Sequence, residues 1–207
     1  STLFPYTTLF RSILIAFLFI NVVLSQDQPK PWPQQFFAII SRNSTNLETG
    51  EPLPYQSNHK WYDYDIYSMK NECSVNGWTI SNIIQDRKAW VYNVATQKCA
   101  FTFMPVRIVT PQWMIGGVSI GRQFVKGTEC DCWDKEDHIY CQDVATKSTK
   151  RVYTPVDQLG ASNTEDYATF IEGAFDRKIF DLPVYCQNIT TEYKVEEVDP
   201  VGCFLSE

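Results

Sequence analysis

The sequence has few of the residues on which enzyme catalysis most often depends. It contains only two histidines, His59 and His138, among 207 residues, and it has no Gly-x-Ser-x-Gly motif. A nucleophile needs a neighbouring base and an orienting group, and neither histidine lies in a motif that supplies them. We therefore expect both histidines to be solvated structural residues, and we expect no catalytic activity.

Runs of basic residues and long apolar segments are also missing. The net charge is −6 at pH 7 and no cluster of Lys or Arg marks a basic face, which argues against nucleic acid or anionic lipid as a partner. The apolar run from Ile13 to Leu24 is far shorter than the ~20 residues of a spanning helix. We therefore expect no stable membrane span, and the length of the run disfavours a retained anchor.

The first 25 residues are not expected to belong to the folded domain. Residues 1–12 (STLFPYTTLFRS) correspond throughout to the translation of a common sequencing-adapter oligonucleotide, so we interpret them as a library artefact. Residues 13–25 end in Val23-Leu24-Ser25 and predict a secretory signal peptide cleaved near Ser25. A single domain over residues 26–187 and a mobile tail over residues 188–207 are expected to follow.

The cysteine content fits a secreted protein, because an oxidising compartment favours disulfides over reactive thiols. Spacing alone leaves the pairing open. The odd number leaves one cysteine free, bonded to another chain, or separated from a partner lost at a truncated end. Two glycosylation sequons begin at Asn43 and Asn188. The seven candidate disulfide residues are Cys73, Cys99, Cys130, Cys132, Cys141, Cys186 and Cys203.

Alternating apolar and polar residues predict an all-β, antiparallel domain. In residues 89–104 (AWVYNVATQKCAFTFM), Trp90 and Tyr92 alternate before a polar break, and Phe101 and Phe103 alternate after it. The same pattern of two alternating runs around a polar break recurs in residues 139–156, which predicts a second hairpin. Further strands are predicted at residues 36–42, 61–69, 78–85 and 118–126.

Beyond Pro155 the period changes to one typical of a helix. Ser162 and Glu165 have the spacing of a capping box, and Tyr167, Phe170 and Ala174 share a helical stripe with Ile171. The sequence therefore predicts a short C-terminal helix on an otherwise β-dominant domain.

An ordered set of motifs resembles the ependymin-related secreted proteins. The similarity is greatest to the domain that precedes a papain-like protease in the counting-factor-associated protein of social amoebae, and to its stand-alone protist relatives. It extends from Phe36 to Cys186. The motifs are Trp61-Tyr62-Asp63-Tyr64, the WVYN hairpin with Cys99, Pro111-Gln112-Trp113, Gly121, Cys132-Trp133, Tyr140, Tyr153-Thr154-Pro155-Val156, and Phe180-Asp181-Leu182-Pro183-Val184-Tyr185-Cys186.

This resemblance implies two antiparallel sheets curved into a half-barrel around a deep hydrophobic pocket, similar to the bacterial carriers of lipoproteins. It also implies secretion, glycosylation and, for the ependymins proper, association with calcium. The sequence lacks a second cysteine near Cys99, and Cys141 is additional, so no disulfide pairing is carried over from the family.

The number of aromatic residues points to a ligand pocket. A curved sheet cannot bury so many rings on one face unless the other face is covered or encloses a guest, although an ordinary core also explains most of them. The pocket residues we predict are Trp61, Tyr64, Trp90, Tyr92, Phe101, Phe103, Phe124 and Trp133.

Three patterns of polar residues are candidates for other sites, each beside a simpler interpretation. Asp131, Asp134, Glu136 and Asp137 offer oxygen ligands to calcium, but they also fit a solvated turn. Cys130, Cys132, His138 and Cys141 offer soft ligands to zinc, but secretion favours disulfides. The carboxylates of Asp63 and Asp65 would serve glycoside hydrolysis only if both were buried beside a cleft.

Together these observations predict a secreted, non-enzymatic glycoprotein that binds a lipid or acyl chain. The alternative is an accessory domain of a papain-like cysteine protease or a module of the extracellular matrix. Homodimer formation is a further option that the sequence leaves open.

Overall fold

A computed structural model describes residues 28–156, 161–187, 189, 194–199 and 203. The predicted adapter segment 1–12, the predicted signal peptide 13–25 and the sequon residue Asn188 lie outside these residues.

The described chain forms one antiparallel sheet of eleven strands. This confirms the predicted all-β class, although the resemblance implied two sheets. The strands are β1 (Gln35–Asn46), β2 (Gln56–Asp63), β3 (Ser68–Val75), β4 (Trp78–Gln85), β5 (Lys88–Asn93), β6 (Lys98–Phe103), β7 (Val118–Val125), β8 (Thr128–Lys135), β9 (His138–Asp143), β10 (Thr149–Thr154) and β11 (Ala161–Glu172). Three 3-10 turns (Tyr64–Ile66, Arg177–Phe180, Val184–Cys186) and one helical turn (Val195–Val198) are also present.

The sheet consists of two meanders that meet in its middle. Strands β1 to β6 run outward to one edge, and β7 to β11 return from the other edge until β11 pairs with β1. The connection between β6 and β7, residues 104–117, therefore has to cross from one edge of the sheet to the other. It crosses over one face, where Ile108 and Met114 are buried.

That face is concave. Ile84 on β4 and Trp133 on β8 belong to the same apolar cluster, although seven strand spacings separate β4 from β8. In a flat sheet these spacings of ~4.8 Å would hold the two strands more than ~30 Å apart. The sheet must therefore curl so that the side chains of distant strands converge with the crossing connection.

The predicted C-terminal helix is wrong, because residues 161–172 form strand β11. The cause is a bulge opposite Ile39 and Ile40: these residues pair with Thr169 and Tyr167, which leaves Ala168 as an extra residue. A bulge shifts the alternation of faces by one residue. Tyr167 and Phe170 consequently share the concave face although they are three residues apart, a spacing that imitates a helical stripe.

Three disulfides connect elements that are distant in the chain or adjacent in the sheet. They join Cys73 to Cys203, Cys99 to Cys186 and Cys132 to Cys141, and Cys130 is left as a buried free cysteine. The first bond attaches the C-terminal segment to β3. Val198 is also buried, so the described part of the tail is tied to the sheet, which the sequence did not lead us to expect.

The described helical segments are short. None of them is long and apolar enough to cross a membrane.

Candidate functional site

Two segments cover part of the concave face and are held there by specific hydrogen bonds. The backbone N–H of Trp32 donates to the carbonyl of Pro111 at 2.9 Å, so the N-terminal segment and the 104–117 connection support each other. The hydroxyl of Tyr62 on β2 donates to the carbonyl of Val109 at 2.7 Å. The connection is thus fastened to the floor of the sheet.

The far end of the connection is fastened by a lysine. The ammonium group of Lys135, at the end of β8, donates to the carbonyls of Trp113 and Ile115 at 2.6 and 2.9 Å. The hydrogen bonds of this lysine hold the backbone of residues 113–115 against the end of β8.

Between these covering segments and the strands lies an open cleft of about 490 Å³. This volume falls within the range typical of small-molecule sites, roughly 300–1,000 Å³. Strands β1, β2, β3, β8, β9, β10 and β11, the N-terminal segment and the crossing connection all contribute to its lining. The lining residues are Trp32, Arg42, Lys60, Met69, Val109, Trp113, Met114, Lys135, Glu136, His138, Val152, Thr154, Asn163, Glu165 and Tyr167.

A compact ionic cluster lies in the wall of this cleft. The ammonium group of Lys60 lies 2.9 Å from Oε2 of Glu165 and 3.4 Å from the hydroxyl of Tyr167. The Tyr167 hydroxyl donates to the same carboxylate oxygen at 3.2 Å. The strands bring these residues together, because β2 and β11 both flank β1.

A second polar group lies beside this cluster. The Nε of Arg42 donates to Oδ1 of Asn163 at 3.0 Å, and the hydroxyl of Ser44 makes a short hydrogen bond to the same oxygen. A terminal nitrogen of Arg42 lies 3.5 Å from the carbonyl of Cys203. Arg42 therefore connects the cleft wall to the disulfide-bonded tail.

The electrostatics of the cluster keep Glu165 ionised. Burial alone raises the pKa of this carboxyl group, but the charges of Lys60 and Arg42 and the hydrogen bonds from Lys60 and Tyr167 outweigh burial and lower it. Burial and the nearby Glu165 raise the pKa of Tyr167 well above its ordinary value. Glu165 is accordingly an anion and Tyr167 a neutral phenol near pH 7.

The eight predicted pocket residues do not surround this cleft. Trp61, Trp90 and Phe101 lie on the convex face, in one cross-strand row that runs through the paired positions of β1 to β6. Tyr92 packs on the same face against the segment bonded through Cys186. Alternation correctly predicts that these rings share a face, but it cannot tell which face becomes concave.

The other four predicted rings are also outside the cleft lining. Phe103 and Phe124 are 70% and 75% exposed on the two edge strands. Tyr64 and the buried Trp133 do pack against the concave core, but neither lines the cleft. The sequence therefore predicted a concave apolar surface without identifying the residues that line the cleft.

The two carboxylates considered for hydrolysis have different environments. Asp63 is fully buried, and its Oδ2 accepts from Nε of Arg177 at 2.7 Å and from Nε2 of Gln35 at 2.9 Å. The side chain of Asp65 is 52% exposed. The condition for the hydrolase interpretation, burial of both acids beside a cleft, is not met.

The structure does not gather the predicted calcium ligands. Asp131 accepts from Lys147 at 3.0 Å and from Arg122 at 3.3 Å, whereas Oδ1 of Asp134 accepts from the backbone of Asp137 at 3.2 Å. Glu136 is exposed in the β8–β9 turn. Among the described residues, no group of three His, Cys, Asp or Glu side chains is placed to hold a metal ion.

The zinc alternative loses two ligands to the bond between Cys132 and Cys141. Of the histidines, His59 is partly exposed, 3.9 Å from Glu72. His138 lines the cleft rim, where its Nδ1 lies 3.0 Å from the carbonyl of Glu136.

Comparisons with known proteins concern the family and the fold. A family model described as a domain of unknown function, DUF8395, matches residues 31–186. No curated protein matches the sequence significantly. An uncharacterized conserved protein from Thermus thermophilus is 9% identical, with a TM-score of 0.50 over 73% of this chain and 87% of that one. At such identity this likeness supports the fold alone.

Two further solved structures are similar at lower scores. MucB is 12% identical, with a TM-score of 0.43 over 77% of this chain and 60% of that one. A LolA superfamily protein from Nitrosomonas europaea is 9% identical, with a TM-score of 0.39 over 78% of this chain and 97% of that one. The resemblance to ependymin-related proteins stays a prediction.

Proposed function

We propose that this chain, which belongs to the DUF8395 family of domains of unknown function, binds a hydrophobic ligand such as a lipid or acyl chain. The observation that carries the proposal is the cleft of about 490 Å³ on the concave face. Six apolar side chains, from β3, β10, the crossing connection and the N-terminal segment, share its lining with nine polar or charged ones. Apolar surface in a cleft of this size binds small molecules by excluding water, and polar groups beside it orient them.

The mechanism is transfer from water, without a covalent step. Each methylene that leaves water contributes roughly 0.8 kcal/mol. Met69, Val109 and Val152 offer the apolar contacts, and the ionic cluster around Lys60 fixes which end of a ligand lies deepest. The crossing connection, fastened by Tyr62 and Lys135, keeps the cleft largely formed before a ligand binds.

Export from the cell is part of the proposal. Three disulfides support folding in an oxidising compartment, and the sequon residue Asn43 is exposed on β1, where a glycan would not meet the core. The predicted signal peptide would direct the chain along this route.

Native mass spectrometry of the protein secreted from eukaryotic cells tests the proposal. The wild type is expected to carry copurified lipid. Met69→Trp places a large side chain in the cleft and is expected to lower the lipid-bound fraction at least about five-fold, since it removes the volume the ligand needs. Met69→Leu conserves volume and is expected to retain lipid.

Two results would contradict the proposal. One is a wild type without lipid that also fails to bind added palmitate. The other is lipid bound equally by wild type and Met69→Trp, with both proteins folded by circular dichroism, because the lipid would then lie elsewhere.

A further inference from the structure

We infer that the ligand of the cleft is amphipathic with an anionic head group, a carboxylate or phosphate joined to an apolar chain, and that Lys60 binds the head. This inference rests on the proposed function and makes it more specific. It assigns Lys60 a ligand-binding role and Glu165 and Tyr167 the role of positioning its ammonium group.

The first observation is the charge of the lining. Among the described residues that line the cleft, Arg42, Lys60 and Lys135 are cations and only Glu136 and Glu165 are carboxylates. The chain as a whole has the opposite balance, with a net charge of −6. The fold therefore places a cationic excess around an apolar cleft in an acidic protein, which favours an anion there.

The second observation is the state of Lys60 itself. Its side chain is only 11% exposed, and a charge so far from water needs partners to remain ionised. An ammonium group has three donors, and the described hydrogen bonds, to Glu165 and Tyr167, use two of them. One donor is left for a ligand in the cleft that Lys60 lines.

The third observation is the kind of hydrogen bond that Lys60 can still make. An ammonium group has three donors and no acceptor. Its unused capacity is therefore donor capacity, and it matches an oxygen-rich head group.

Other head groups fit the wall less well. A cationic head would have to approach Glu165, whose charge is already neutralised by Lys60 at 2.9 Å, and it would meet the charge of Arg42. A neutral hydroxyl could accept one hydrogen bond but would gain nothing from the cationic excess. A carboxylate or phosphate accepts the hydrogen bond and is also attracted by the cationic excess, so it forms a charge-assisted hydrogen bond.

This site has no run of basic residues in the sequence, and for that reason the sequence alone argued against anionic lipid as a partner. Arg42 and Lys60 come from neighbouring strands, and Lys135 comes from the far half of the sheet. Curvature brings them around one cleft, so their proximity is a property of the fold.

Ligands with the same hexadecyl chain and different heads test the inference. We would measure dissociation constants by calorimetry for palmitate, hexadecyl phosphate, hexadecanol and hexadecyltrimethylammonium. The ionic compounds are kept below their critical micelle concentrations and hexadecanol below its solubility limit. Palmitate or hexadecyl phosphate is expected to bind roughly ten-fold more tightly than hexadecanol, as one charge-assisted hydrogen bond would provide. Acetate and inorganic phosphate, which lack the chain, are expected not to compete at millimolar concentration.

Variants then assign the effect to Lys60. Lys60→Met is expected to remove the preference for palmitate over hexadecanol. Because this change leaves Glu165 without its ion partner, Lys60→Met combined with Glu165→Gln gives a second, charge-balanced variant with the same expectation. The matched control is Lys30→Met with Glu172→Gln, which removes an exposed ion pair of 2.8 Å outside the cleft and should keep the preference.

Each outcome has a separate meaning. If none of the four hexadecyl compounds binds, the proposed function itself is wrong. If they bind but hexadecanol equals both anions, or the cation binds most tightly, only the head-group inference is overturned. A preference that persists in the charge-balanced variant would overturn the role of Lys60. If acetate or inorganic phosphate displaces palmitate, the site binds simple anions without a chain, and the inference of an amphipathic ligand is overturned.

Discussion

Lys60 on β2 and Glu165 on β11 form an ion pair of 2.9 Å, although strand β1 lies between them. Such a pair can form only where the sheet is concave enough for side chains two strands apart to converge. The pair therefore reports on the curvature of the sheet as well as on the chemistry of the cleft.

Stability is expected to depend on pH through Glu165. Its folded-state pKa is lowered, so its contribution to stability is complete above the ordinary glutamate pKa of about 4.3 and is lost as the pH falls through the folded-state value. Urea unfolding of the wild type should show a steeper loss of stability between about pH 5 and pH 3 than unfolding of Glu165→Gln. Lys60, Arg42 and Tyr167 are the groups that face this carboxylate.

The control for this prediction is Glu51→Gln, which changes an exposed carboxyl group in the β1–β2 loop and should leave the slope of the wild type intact. Parallel profiles of stability against pH for the wild type and Glu165→Gln would contradict the assignment of this pH dependence to Glu165.

The hydrogen bond from Tyr62 to the carbonyl of Val109 should hold the crossing connection on the sheet. Tyr62→Phe keeps the buried ring and removes only the hydroxyl, so we expect a loss of about 0.5–1.5 kcal/mol in the free energy of unfolding. Hydrogen exchange should accelerate in residues 104–117. Exchange that is unchanged there, or that accelerates only in the strands, would show that the connection is held by other contacts.

Cys130 should be the one thiol of the protein, and it should be unreactive in the folded state. It is fully buried, and burial together with the charge of Asp143 raises its pKa, so little thiolate is available to react. Ellman's reagent should detect almost no thiol in native buffer and one per chain in guanidinium without reductant. Rapid reaction of the native protein would contradict this placement.

The disulfide between Cys73 and Cys203 should stabilise the fold more than the one between Cys132 and Cys141. The first spans 130 residues and the second only 9, and a longer closed loop restricts the unfolded chain more. Replacing Cys73 and Cys203 by alanine should lower the free energy of unfolding by about 2–4 kcal/mol. The same replacement at Cys132 and Cys141 should cost less, and a reversed order would show that loop entropy does not decide the difference.

The strands were largely predictable because their signal is local. Trp90, Tyr92 and Phe101 alternate as residues of a hairpin must, and the structure places β5 and β6 there. The strand β11 was not predictable in the same way. Its bulge at Ala168 brings Tyr167 and Phe170 to one face, and a bulge depends on pairing with β1 across more than a hundred residues.

The cleft was the least predictable feature. Aromatic content indicated an apolar surface, but a sheet has two faces, and the path of the 104–117 connection decides on which of them the cleft forms. Lys60, Glu165 and Tyr167 carry no local signal, since they lie on strands that only the closure of β11 onto β1 brings together. Trp113 and Met114, in the same connection, were the nearest available sequence clue to the wall of the cleft.

The most direct test of the account is to locate a bound acyl chain on the folded protein. Titration of the ¹⁵N-labelled protein with doxyl-labelled stearate should broaden the amide signals of Met69, Val109, Val152 and Tyr167 around the concave cleft. The amide signals of Trp90 and Phe101, on strands β5 and β6 that do not line the cleft, should stay sharp. Broadening centred on the convex row, or none at any concentration below micelle formation, would contradict the claim that this cleft holds a hydrophobic ligand.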